Sequence, residues 1–114
     1  MKATILLVED EADAGELLRD LLELEGYRVL LAYDGAQGLA LAVAERPDLV
    51  VTDVMMPRMD GLELIERLRR NPDTRRTPIV VLSAFDGVVH EPSLVKPVQI
   101  PALLAVIVRQ LRNR

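Results

Sequence analysis

The sequence predicts an open, doubly wound α/β fold, a parallel sheet with helices on both faces. Short β-rich apolar runs alternate with segments of helical periodicity, the pattern of successive βα units. The run Leu49-Val50-Val51 is continuously apolar, as a central strand covered on both faces requires. A chain of 114 residues has room for one such domain, expected over residues 1–114.

Ile5-Leu6-Leu7-Val8 reads as the first strand, running into Glu9-Asp10-Glu11. Leu17, Leu18, Leu21, Leu22 and Leu24 then recur at helical spacing until Gly26, a residue suited to a helix C-terminus. A second strand, roughly Arg28 to Tyr33, ends at Asp34-Gly35, with Asp34 as N-cap of a helix from Ala36 to Glu45. Arg46-Pro47 closes that helix, because the residue before a proline disfavours the α region. The third strand ends in Thr52-Asp53. A turn-rich stretch, Met56 to Gly61, precedes a helix from Leu62 to Arg70. Asn71-Pro72-Asp73-Thr74 is a loop, and Pro78 to Leu82 is the fourth strand, ending at Ser83. A short segment, Leu94-Val95-Lys96-Pro97, is the fifth. The last helix starts near Ile100-Pro101, with proline in the first turn, and is expected to bury Leu103, Leu104, Ile107, Val108 and Leu111. Five strands with four or five helices result.

Half of the residues are apolar and 28% are charged, the balance of a chain able to bury a core. With no cysteine, disulfide scaffolds, thiolate-bound zinc and thiol catalysis are excluded. The longest apolar run, Ala102 to Val108, is too short to span a bilayer, and Met1-Lys2-Ala3 opens no secretory leader. A cytoplasmic location without membrane contact is therefore expected. The formal net charge of −4 argues against direct nucleic-acid binding, which needs clustered positive charge. The dense basic stretch Arg67, Arg69, Arg70, Arg75 and Arg76 reads as a helix C-terminus complementing its dipole.

In open parallel sheets the ligand site lies beyond the carboxyl ends of the strands, where strand order reverses. Four strand ends here carry reactive groups: Glu9 and Asp10, Asp53, Ser83, and Lys96. Each alone has an ordinary reading. The acids suit a helix N-terminus, Asp53 a turn, Ser83 a strand-end cap, and Lys96 the solvated surface. Their coincidence at successive strand ends is what those readings leave unexplained. Together they suit phosphoryl transfer to a carboxylate. Glu9, Asp10 and Asp53 offer hard oxygen ligands to Mg²⁺, which prefers one or two carboxylates and keeps several waters. Asp53 would be the nucleophile, with the Ser83 hydroxyl and Lys96 ammonium contacting phosphoryl oxygens.

The stretches Ile5–Glu11, Asp53-Val54-Met55-Met56-Pro57-Arg58-Met59-Asp60-Gly61, Leu82-Ser83-Ala84 and Val95-Lys96-Pro97 occur in an order that resembles the receiver domain of two-component response regulators. The likeness covers nearly the whole chain. It implies the flavodoxin-like strand order 2-1-3-4-5 of the chemotaxis regulator. It implies Asp53 as phospho-acceptor, and Asp10, Asp53 and the backbone carbonyl of Met55 as Mg²⁺ ligands, with Glu9 acting through water. Ser83 takes the place of the switch hydroxyl, and Lys96 that of the lysine before a proline, usually in cis. The partners implied are a sensor histidine kinase or phosphotransfer protein as donor and a downstream effector protein. The only histidine, His90, reads as a solvated loop residue.

The chain departs from that pattern between Ser83 and Lys96. Twelve residues, Ala84 to Val95, replace a complete fourth helix and fifth strand, and Gly87, Val88, Val89 and Pro92 permit at most a helical turn. The fourth helix is expected to be absent or reduced to a turn, and the fifth strand short. The usual aromatic three positions before the lysine is replaced by Ser93. Output is therefore expected from Ser83, Ser93 and the Phe85–Pro92 loop, ordering or disordering on phosphorylation. The thinned layer should expose an apolar patch on the sheet and last helix that favours a partner or a homodimer. A different reading keeps the fold but makes the chain a pseudo-receiver, a phosphate-independent binding or dimerisation module. A haloacid-dehalogenase-like hydrolase is disfavoured, because Glu9-Asp10-Glu11-Ala12-Asp13 lacks the Asp-x-Asp nucleophile pattern. No Gly-rich phosphate loop is present.

Overall fold

A computed structural model describes residues 2–56, 59–84 and 91–113. Its strands are β1 (Thr4–Val8), β2 (Arg28–Ala32), β3 (Leu49–Asp53), β4 (Ile79–Ser83) and β5 (Ser93–Val95), and its helices are α1 (Ala12–Leu24), α2 (Gly35–Glu45), α3 (Gly61–Arg70) and α4 (Ile100–Arg112). The strands form one parallel sheet in the order β2-β1-β3-β4-β5. This is the flavodoxin-like order that the resemblance implied. All five residues of β3 and of β4 are buried, because apolar Leu49-Val50-Val51 and Ile79 to Leu82 have helices over both faces.

The alternation of side chains along the strands divides the core in two. Leu6, Val8, Val50, Ile79 and Val81 meet Leu64, Ile65 and Leu68 of α3 and Ala42 of α2 on one face. Ile5, Leu7, Leu49, Val51, Val80 and Leu82 meet Leu22 of α1 and Leu103 and Ile107 of α4 on the other.

The helix boundaries follow local chemistry. The Asp34 carboxylate accepts from the Gln37 N–H at 2.7 Å, the cap read from sequence, and Asp60 does the same for the Glu63 N–H at 2.9 Å. Glu11 caps α1 through the Ala14 N–H at 2.9 Å. Gly26, at φ +95°, ends α1 in the left-handed region that glycine tolerates best. Arg46, just before Pro47, takes φ 46° and stops α2. Two apolar faces differ from expectation. Leu17 and Leu24 are 61% and 81% exposed, and Val108 is 39% exposed, since α1 and α4 each lie against the sheet along one stripe narrower than their apolar surface.

Between β4 and β5 the described residues, Ala84, Glu91 and Pro92, are in no helix. β5 has three residues and begins at Ser93, one position earlier than expected. Leu94 points into the α1/α4 core, so Ser93 and Val95 face the α2/α3 side, where Val95 is 46% exposed. Phe85, His90 and most of the expected Phe85–Pro92 switch loop lie outside the described residues.

Candidate functional site

β1 lies between β2 and β3, so the chain leaves β1 to one side and returns on the other. The carboxyl ends of β1 and β3 therefore flank the switch point of the sheet. Glu9 and Asp10 follow β1, and Asp53 ends β3. One oxygen from each of Glu9, Asp10 and Asp53 lies within 4.8 Å of the others, with Glu9 and Asp53 buried and Asp10 exposed.

Lys96 reaches this cluster from beyond β5. Its Nζ stands 2.8 Å from Asp53 Oδ1 and 3.8 Å from Glu9 Oε1. The backbone carries it there: the Lys96 N–H donates to the Ser83 carbonyl at 2.7 Å, and the following Lys96–Pro97 bond is cis. Ser83 ends β4, beside Val95 in register and one residue past the Asp53–Leu82 pair. Its side chain is buried, 3% exposed. The structure thus brings Glu9, Asp10, Asp53, Ser83 and Lys96 to one edge. Met55 lies two residues past Asp53 with its side chain exposed. Ser93 sits lower, opposite Val81.

Burial dominates the electrostatics. It pushes the Glu9 carboxyl up to about 7, against the pull of the Glu11 N–H at 3.2 Å and with help from the neighbouring Asp53 charge. Lys96 helps Glu9 little, because its ammonium is committed to Asp53 at the shorter distance. For Lys96 burial works downward, but the hydrogen bond and charge of Asp53, with Glu9 and Asp10, outweigh it and raise the ammonium pKa. Two buried carboxylates and an exposed third, offset by one ammonium, form a donor set with excess negative charge. Such all-oxygen sets fit a hard divalent cation.

Asp53 is held from below. Its Oδ1 accepts the Val54 N–H at 3.1 Å, and its carbonyl accepts the Thr52 hydroxyl at 3.0 Å. The Gly61 N–H donates to the Val54 carbonyl at 2.9 Å, closing the turn between β3 and α3. A Cβ at position 61 would run into the Asp53 carbonyl and stand 2.8 Å from Val54 Cα. Gly61 was legible only as part of a motif. The Asp-Gly pair at a helix start was its one local signal.

The family model of the response regulator receiver domain matches residues 5–107. Response regulator MprA of Mycobacterium tuberculosis (strain H37Rv) is 47% identical over 88 residues, 77% of this chain and 37% of its own length. MprA of Mycolicibacterium vanbaalenii is 49% identical over the same span. The chain thus spans little more than a third of the length of these curated relatives. Among solved structures, the receiver domain of a signal transduction histidine kinase from Syntrophus aciditrophicus superposes with a TM-score of 0.90 at 29% identity, covering 97% of this chain and 91% of its own. Chemotaxis protein CheY4 of Vibrio cholerae gives 0.88 at 30% identity, over 96% and 98%. The receiver domain of the Pseudomonas aeruginosa sensor histidine kinase PA1611, solved with a magnesium ion in its active-site cleft, gives 0.88 at 29%, over 97% and 98%.

Proposed function

The chain belongs to the response regulator receiver family, a family of signalling switches, and from that premise we propose that it is a phospho-accepting receiver whose acceptor is Asp53. The observation that carries the reading is the 2.8 Å pair of Lys96 Nζ with Asp53 Oδ1 beside Glu9 and Asp10.

Phosphoryl transfer asks the protein mainly for position and charge. An Asp53 carboxylate oxygen forms the new bond to phosphorus as the phosphorus–nitrogen bond of a donor phosphohistidine breaks. The bonding pair leaves with the imidazole, and an aspartyl phosphate remains. The Val54 N–H orients the Asp53 carboxylate, while the Lys96 ammonium and Ser83 hydroxyl meet phosphoryl oxygens. Glu9, Asp10, Asp53 and the Met55 carbonyl would hold Mg²⁺. When bound, that cation supplies positive charge against the phosphoryl oxygens and offsets the crowded carboxylates. Neutral Glu9 must give up its proton for this, which burial resists and a divalent cation favours.

Residues 1–114 act in this reading as one receiver, in the cytoplasm. The donor is a sensor histidine kinase or phosphotransfer protein, and the phosphorylated surface is read by a downstream effector protein. The chain turns over no metabolite beyond its own phosphorylation and dephosphorylation.

The test is intact mass after incubation with acetyl phosphate and Mg²⁺. A single phosphoryl adduct that is absent in Asp53→Asn supports the reading. The short β5 and the serine at position 93 favour a phosphate-independent pseudo-receiver, for which no adduct forms in the unmodified sequence.

A further inference from the structure

The first turns of α1, α2 and α3 each carry a glycine, Gly15, Gly35 and Gly61. At Gly15 a Cβ would stand 3.5 Å from Glu9 Cβ, an ordinary contact, and at Gly61 it would strike the Asp53 backbone. Gly35 is the first residue of α2. A Cβ there would lie 2.9 Å from both Cβ and Cγ of Met59 and nearer still to the Met59 backbone oxygen. Ordinary carbon–carbon contact is about 3.5–4.0 Å, so Met59 would have to move.

Met59 belongs to the seven-residue connection, residues 54–60, between β3 and α3. Both ends of that connection are fixed. At one end the Val54 N–H is held by the Leu82 carbonyl at 3.1 Å and by Asp53 Oδ1. At the other the Gly61 N–H is held by the Val54 carbonyl at 2.9 Å. Met56 is buried in the α2/α3 core, with Met59 packed against the same cluster. Met59 stands two residues before Gly61, so a displacement of Met59 bears on the Gly61–Val54 bond and, through the Val54 N–H, on the Asp53 carboxylate.

We propose that Gly35 is a positioning residue for the phosphorylation site: its bare Cα seats Met59 and, through Gly61 and Val54, fixes where Asp53 presents its carboxylate. This rests on the receiver reading above.

The test is a Mn²⁺ titration of the full chain, followed by water-proton relaxation, in Gly35→Ala and Gly26→Ala. Gly26 has a positive φ and open space around it, so an alanine there strains the backbone far from the cleft. Gly35→Ala is expected to weaken Mn²⁺ binding by roughly tenfold. It should also slow acetyl-phosphate labelling at limiting Mg²⁺, with recovery at saturating Mg²⁺. Gly26→Ala should keep the parent affinity. An unchanged affinity in Gly35→Ala, or an equal loss in Gly26→Ala, overturns the proposal. If Gly35→Ala does not fold, Met59→Ala removes the Cγ that faces Gly35 together with the rest of the side chain packed on the α2/α3 core, and an unchanged Mn²⁺ affinity there overturns it as well. A parent chain that takes up a phosphoryl group while Gly35→Ala binds Mn²⁺ normally sinks the seat alone. A parent chain that takes up neither cation nor phosphoryl sinks both readings.

Discussion

Lys96 and Glu9 show what a single residue contributes at this edge of the sheet. Lys96 is one of two lysines beside twelve arginines, and a compact ammonium fits between two carboxylates where a planar guanidinium would demand a wider fork. Lys96→Ala should slow acetyl-phosphate labelling by about a hundredfold while leaving Mn²⁺ affinity undiminished, since a competing positive charge is gone; labelling time courses and Mn²⁺ titration check the pair. Glu9 makes the opposite point, because its carboxyl is pushed up to about 7 by burial. The folded chain therefore holds that proton more tightly than the unfolded chain does. In chelator, the stabilising contribution is full below the ordinary glutamate pKa and is lost as pH rises through about 7. Denaturant unfolding in EDTA should show stability falling from pH 5 to pH 8, and Glu9→Gln should flatten that fall and gain roughly 1–2 kcal/mol at pH 8. The strand-end residues were legible in the sequence, because a parallel sheet gathers its carboxyl ends whatever the loops do. Gly35 was not, since the backbone it abuts is brought to it only by the folded chain, and Gly61 was legible only as part of a motif.

Helices and strands were legible wherever a local signal fixed their ends. Asp34 before Gly35, Arg46 before Pro47 and Ile100-Pro101 each mark a boundary that the structure keeps. Which leucines face inward was less legible: leucines and valines surround α1 and α4 on more than one stripe, and only the neighbouring element decides which stripe is covered. The turn after α3 depends on a contact that no periodicity reveals. Asn71 Oδ1 accepts the Asp73 N–H at 2.9 Å, and the buried Thr74 hydroxyl donates to the Leu68 carbonyl at 2.8 Å. Arg69 ties the same turn to the last part of the sheet, donating to the Arg75 and Thr77 carbonyls at 2.9 and 2.7 Å and pairing with Glu91 at 3.7 Å. Thr74→Val leaves the shape but strips a buried carbonyl of its donor, for an expected cost of about 1–2 kcal/mol. Guanidinium unfolding should show that loss as a lower midpoint at unchanged slope, and an unchanged midpoint would mean that the Leu68 carbonyl finds another donor.

At the scale of the whole chain, the sheet order sets one end apart as the acidic end. β1, β3 and the segment after β5 bring Glu9, Asp10, Asp53 and Lys96 together, while the apolar core lies below them. The fold therefore bears the mutual repulsion of the carboxylates as a standing cost, relieved in part by Lys96 and by protonation of Glu9. A ligand that binds the folded chain and not the unfolded one adds stability by mass action, about 2.7 kcal/mol at a hundredfold excess over its dissociation constant. Mg²⁺ should accordingly raise the unfolding midpoint by several degrees, as expected for a domain of this size. Protons compete with it at Glu9, so the gain should be larger at pH 8 than at pH 6. An equal ionic strength of NaCl should not reproduce it, because salt screens the exposed Asp10 far better than the buried Glu9 and Asp53. Asp53→Asn should lose most of the Mg²⁺ gain while being no less stable than the parent chain in EDTA, because the substitution removes a repelling charge as well as a ligand. Calorimetric scans of both chains across that pH range separate the two effects. A Mg²⁺ gain that persists undiminished in Asp53→Asn would place the cation away from the end of β3.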